Sequence, residues 1–157
     1  MRAQTRNIRR GFSLIELVIV VVIMAIIGAI AIPRMSRGAA GASDSALVGN
    51  LSVLRSALDL YQTEHNGTFP TAAGVVNQLT LFTDDAGATS ATKTATHIYG
   101  PYLRQIPPLP VGAAKGSKGI AAAAAAGVGW IYDGNGNVTA NCTAAEVDAR
   151  GIAYNAY

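Results

Sequence analysis

The stretch RRGFSLIELVIVVVIMAIIGAIAIP, from Arg9 to Pro33, holds a single acid, Glu16, inside an otherwise uncharged run of 21 residues, Phe12 to Ile32. As an α-helix that run reaches about 31 Å at ~1.5 Å per residue, which matches a hydrocarbon core ~30 Å thick. Arg2, Arg6, Arg9 and Arg10 precede it, whereas Arg34 and Arg37 follow. This imbalance of positive charge orients the N-terminus to the cytoplasm and the body of the chain outside. A carboxylate at mid-bilayer costs roughly 2.5–3.5 kcal/mol, so Glu16 needs either a partner or a position close to the headgroups.

Composition agrees with a membrane-attached chain. Half of the 157 residues are hydrophobic, yet 6% are aromatic and 13% charged, so the apolar content sits in the N-terminal run and in alanines. The net charge of +3 belongs to the leader, because the residues after Gly11 carry eight basic against nine acidic groups. Without a basic face or aromatics to stack on bases, nucleic acid is not an expected partner. Cys142 is the single cysteine, which excludes an intramolecular disulfide and a cysteine-based metal cluster.

A secretory signal peptide is one reading of the N-terminus, with Ala29-Ile30-Ala31 as its cleavage site. Its usual apolar core of ~7–15 residues is shorter than this run, and Glu16 would place an acid inside it. The segment Gly11-Phe12-Ser13-Leu14-Ile15-Glu16 instead closely resembles the processing signal of type IV pilins and type II secretion pseudopilins. The shared pattern is a short basic leader, Gly, an aromatic, three residues, Glu, then an apolar helix. The resemblance implies cleavage between Gly11 and Phe12 by a membrane-embedded prepilin peptidase and N-methylation of Phe12. It also implies that Glu16 pairs with the new amine of a neighbouring subunit as a filament assembles. Such a pair offsets a desolvation that neither charge could bear alone. A simpler role for Glu16 is an acid in the first helical turn, favoured by the helix dipole. Gly28 and Pro33 weaken the helix and mark the expected kink, since Pro33 cannot donate to the carbonyl of Ala29.

Beyond Pro33 the run from Arg34 to Ser45 is rich in Gly, Ala and Ser and reads as helix. Leu47, Leu51, Leu54, Leu58 and Tyr61 follow at alternating steps of four and three, which predicts an amphipathic helix on a small domain. Asn66-Gly67 and Pro70 end it. Thr71 is the expected cap of a second helix through about Phe82, with Val75, Val76, Leu79 and Phe82 on its buried side. Residues 83–97 read as a surface loop. GPYLRQIPPLP, 100–110, sets an extended path and is similar to the proline-rich crossing of major pseudopilins. The six alanines at 121–126 favour a helical turn or a loop. GWIYDGNGNVTANC predicts a β-hairpin of Trp130–Tyr132 with Val138 and Thr139.

No catalytic constellation emerges. His65 at a helix end reads as a capping or solvated group and His97 has no partner; Asp84 and Asp85 are adjacent and do not form a catalytic pair. DGNGN has the Asp-x-Asn-x-Asn start of a calcium loop but lacks its later Gly and Glu, leaving Asp133 as a weak candidate ligand. The resemblance implies calcium in a C-terminal loop of major pseudopilins, although their Asp-Pro-Trp-Gly segment is absent. Otherwise no cofactor is expected.

The expected fold is α+β, pilin-like, with a long N-terminal helix whose outer half packs on a small antiparallel sheet. Three regions are expected: a basic leader at 1–11, a transmembrane and filament-core helix at 12–32, and an amphipathic helix with a small periplasmic domain at 33–157. The function the resemblance implies is a structural subunit of a type II secretion pseudopilus, without enzymatic activity. Its expected partners are further copies, minor pseudopilins, the prepilin peptidase and an inner-membrane assembly platform. A type IV pilin for adhesion, motility or DNA uptake shares the N-terminus, and an exported periplasmic enzyme is the alternative of another class.

Overall fold

The computed structural model describes residues 11–157. The arginines of the basic leader lie outside the described residues, as do the side chains of Pro33 and Arg37. Helix α1 spans Leu14–Glu64, and its assignment is continuous through Gly28, Pro33 and the Gly/Ala/Ser-rich run. The chain divides into two compact units after Ala39.

The N-terminal unit is helix alone. Its window Leu14–Ala31 has a mean hydropathy of 3.0 and no buried residue. Leu14, Met24 and Ile27 are each more than half exposed. An apolar helix exposed all round suits lipid or other helices as its surroundings, because beyond its first turn the backbone polar groups are satisfied within it.

In the second unit the heptad-like stripe behaves as its spacing predicts. Leu47, Leu51, Leu54, Leu58 and Tyr61 are all buried, and Arg55 and Asp59 between them are exposed. Helix α1 closes on a left-handed turn. Asn66 takes φ 54° and Gly67 φ 83°, and the Gly67 amide donates to the carbonyl of Gln62 at 2.8 Å, the long bond of a Schellman motif.

Helix α2 spans Val75–Thr80 and is shorter than expected. Gly74, not Thr71, precedes it; the Thr71 hydroxyl accepts from the Gly74 amide at 3.1 Å and so organises the turn before the helix. Val75 and Leu79 are buried as anticipated, whereas Val76 faces out and Gln78 is buried in its stead. The Gln78 amide earns that position through two bonds, accepting from Thr71 N at 2.9 Å and donating to the Gly87 carbonyl at 2.9 Å.

The segment 83–97 is not wholly loop. Strands β1 (Phe82–Thr83) and β2 (Thr89–Ser90) form a short antiparallel pair, and Thr83 is fully buried. The second sheet has the order β3 (Gly119–Ala121), β4 (Val128–Tyr132), β5 (Val138–Ala140). The β4–β5 hairpin is antiparallel with Trp130 opposite Ala140 and Tyr132 opposite Val138. Strand β3 pairs with β4 in parallel, with a register irregularity after Gly119. The alanine run does not continue as helix but folds back as a loop, closed by Val128 N donating to Ala125 O and Gly119 N to Gly127 O. Small side chains with no apolar face offer nothing to bury, so this loop stays on the surface.

Trp130 and Tyr132 are completely buried and join the leucines of α1 in one core with Leu79, Ile106, Leu109 and Val138. The proline segment runs alongside and offers its carbonyls. Trp130 Nε1 donates to Pro107 O at 2.8 Å and Asn50 Nδ2 to Pro108 O at 3.0 Å. Prolines suit this path because they lack an amide hydrogen that would need its own partner.

Candidate functional site

The N-terminal site is built from the first turn of α1. Ser13 stands before the helix, and its amide donates to Glu16 Oε2 at 2.8 Å, while Leu17 N donates to Ser13 O at 3.2 Å. Glu16 therefore supplies the carboxylate half of a capping box, satisfying one of the amides that a helix start leaves without an intrahelical acceptor. The acid also sits at the positive end of the helix dipole. Gly11 and Phe12 precede the helix in extended or irregular backbone, and Phe12 is 86% exposed. A Cβ at Gly11 would meet nothing within 4 Å, so its glycine answers no packing demand within this chain.

The groups set aside in the sequence have structural roles. His65 is buried rather than solvated. It stacks on Tyr61 with ring centroids 3.7 Å apart, and its ring nitrogens lie 2.9 Å from Tyr61 O and 3.0 Å from Asp84 O. It ties the end of α1 to the start of the β1–β2 turn. Asp84 accepts from the amides of Ala86 and Ala88, and Asp85 accepts from the Tyr99 hydroxyl at 2.7 Å, so the two neighbours point to separate tasks. His97 is bonded through Nδ1 to the hydroxyls of Thr94 and Thr96. Burial pushes the Cys142 thiol up to about 11, which keeps it protonated and a poor nucleophile at neutral pH.

Asp133 serves the hairpin. Oδ1 accepts from Asn135 N at 2.7 Å and Asn137 N at 3.1 Å, and Oδ2 accepts from Asn137 Nδ2 at 2.7 Å. These bonds, the Asn137 side chain foremost, hold its carboxyl below the usual range. Both oxygens are thus engaged within the turn. No group of three His, Cys, Asp or Glu side chains arranged for a metal occurs among the described residues. Gly136 is required here by close approach as well as by its φ of 94°. A Cβ would lie 2.6 Å from Cζ of Phe69, the aromatic of the turn that ends α1.

Two further carboxylates escaped the sequence reading. Glu146 accepts from the amides of Thr143 (2.6 Å) and Ala113 (2.5 Å), and Asp148 is tied to Tyr157, Ile152 and Arg150. Hydrogen bonding to the charged form holds both below the usual carboxylate range, chiefly the Thr143 amide for Glu146 and the Tyr157 hydroxyl for Asp148. The unfolded chain binds these protons more tightly than the folded one. Stability from Asp133, Glu146 and Asp148 is therefore complete above the unfolded values near ~4 and is lost as pH falls toward the folded ones. Thermal unfolding followed from pH 7 to pH 2 should show Tm steady to about pH 5 and declining below about pH 4. A flat profile down to pH 2 would contradict the three bonded carboxylates.

A long apolar helix opening on a capped glutamate, followed by a small α+β domain, defines a pilin-like protein with a prepilin-type N-terminus. The family model for the prokaryotic N-terminal methylation motif matches residues 6–32. The type II secretion system core protein G of Klebsiella pneumoniae is 30% identical over 105 residues, which cover 66% of this chain and 70% of that protein. The proteins of the same name from Aeromonas hydrophila and Klebsiella michiganensis are 26% identical over 102 residues and 35% over 66, spanning 67% and 46% of their lengths. No solved structure matches the chain. The chain belongs to the family of the type II secretion system core protein G, the pseudopilins.

Proposed function

We propose that this chain is a structural subunit of a type II secretion pseudopilus. It is stored in the inner membrane through Phe12–Ile32, with its N-terminus in the cytoplasm and its folded domain in the periplasm. Prepilin peptidase cleaves between Gly11 and Phe12 and methylates the Phe12 amine. The subunit then polymerises with further copies and with minor pseudopilins on the inner-membrane assembly platform, and the growing filament supports export across the outer membrane. It has no catalytic residue; its work is assembly.

One observation carries the reading: in a chain related to core protein G, an apolar helix with no buried residue over Leu14–Ala31 carries in its first turn a glutamate that accepts from the Ser13 amide. Such a helix can leave lipid only for another apolar, helix-lined environment. In the filament, Glu16 exchanges its local cap for the methylated amine of a neighbour. Gly28 and Pro33 are where the helix bends or opens as it packs.

Mass analysis of the N-terminal peptide from membranes should find a chain starting at methylated Phe12. A start at Ile32 would instead mark an ordinary signal peptide and overturn the proposal. Deleting the gene should stop protein secretion and leave surface motility intact; the opposite pair of phenotypes would make the chain a type IV pilin.

A further inference from the structure

The resemblance to major pseudopilins implies calcium in the C-terminal loop, and the residues present there do not fit it. Asp148, the one buried carboxylate of that region, has a side chain 2% exposed. Its Oδ1 accepts from Arg150 N and Ile152 N, both at 2.8 Å, and its Oδ2 accepts from Arg150 Nε at 2.8 Å and the Tyr157 hydroxyl at 2.5 Å. Four donors fill the four lone-pair sites that a carboxylate offers. None remains for a divalent ion, and a guanidinium already supplies the positive charge.

The same group closes a larger structure. Asp148 N donates to Ile152 O and Tyr154 N to Glu146 O, so residues 146–154 form a tight turn with Gly151 at φ 83°. Arg150 Nη2 also donates to the Tyr157 hydroxyl, and the backbone oxygen of Tyr157 accepts from Arg55 Nη2 of α1 at 2.7 Å. Tyr154 adds a second tie to α1 through Asp44, at 2.9 Å. The chain end is thereby bound to the helix by side chains 100 or so residues apart in sequence.

We propose that Asp148, Arg150 and Tyr157 form an internal clasp that takes the place of a bound cation, so that this pseudopilin folds and holds its C-terminal segment without calcium. Arg150 is the positioning residue: it fixes both the carboxylate and the phenol while two-thirds of its own side chain stays in solvent. A chain closed in this way keeps its fold where divalent cations are scarce. The inference concerns the folded domain and stands apart from the role in secretion, since its test uses no secretion readout.

The full-length chain, purified in detergent, is heated with excess EDTA or with added calcium chloride, and isothermal titration with calcium is run alongside. Equal Tm in both media and no saturable binding heat are expected. A higher Tm in calcium, or saturable binding, would overturn the proposal. Arg150→Gln should lower Tm by several degrees in either medium and open the C-terminal residues to carboxypeptidase. Arg150→Gln with wild-type Tm and wild-type protection would overturn it equally. Arg150→Lys, which keeps the charge but not the fork that serves two partners, should restore protection only in part.

Discussion

Glu16→Leu is expected to leave membrane insertion and cleavage at Gly11 intact and to abolish filaments. Leucine makes the N-terminal segment more apolar, so insertion does not suffer. The helix loses the bond from Ser13 N, but within a bilayer its remaining intrahelical bonds hold it. What disappears is the negative charge that a neighbour's new amine would meet on leaving water and headgroups. Removing one partner of such a pair leaves the other charge buried and uncompensated, at about 3–5 kcal/mol. That is more than a hundredfold at each subunit added, and a polymer multiplies it along its length. Glu16→Gln separates the two roles of this side chain. Glutamine retains an oxygen for the Ser13 amide, since capping boxes use Glu or Gln alike, but carries no charge. Both variants should be processed and both should fail to polymerise when pilus-like fibres are counted by electron microscopy. Normal fibres from Glu16→Gln would show that the cap alone matters and would end the pairing account.

Trp130→Ala should be the most damaging change in the folded domain. Trp130 is fully buried at the centre of β4, and its removal costs about 3–5 kcal/mol in lost burial and cavity. Pro107 O also loses its donor in a half-buried position. A domain of this size has about 5–15 kcal/mol in total, so the variant is left near its threshold. Urea unfolding of the detergent-solubilised chain should show the midpoint falling by a third or more with the slope little changed. In cells the variant should be depleted by proteolysis while still cleaved at Gly11, because processing acts on the separate helical unit. A loss of stability below about 1 kcal/mol would mean that Trp130 is not the keystone of the core.

The two units were legible to different degrees. The apolar run and its single acid needed no tertiary information, since length, charge and the Gly-Phe-x-x-x-Glu order are properties of contiguous residues. The stripe of leucines on α1 was equally clear, because a 3.6-residue period maps sequence directly onto one helix face. The β4–β5 hairpin followed from a Gly/Asn turn between β-prone residues, and Asn66 and Gly67 fell where a left-handed helix end requires them. The shortened α2 was harder. The Thr71 hydroxyl does accept from the Gly74 amide as a cap would, but residues 72–74 form a turn, and the helical bonds begin only with Gln78 N donating to Gly74 O. His65, at a helix end, reads as a capping or solvated group but is buried. Its burial depends on Tyr61 below it and the Asp84 carbonyl beside it, 19 residues away.

By itself the order of residues determined a helix long and apolar enough to cross a membrane, the N-terminal methylation motif, an amphipathic continuation and a C-terminal hairpin, because each is written in local period, charge and turn chemistry. Only the tertiary structure decided that β3 runs parallel to β4, that Phe69 covers Gly136, and that Asp148 is closed by Arg150 and Tyr157 and bound through the chain end to Arg55. Those features depend on groups brought together across long stretches of chain, where the free energy lies in desolvated hydrogen bonds and close packing that no local pattern records.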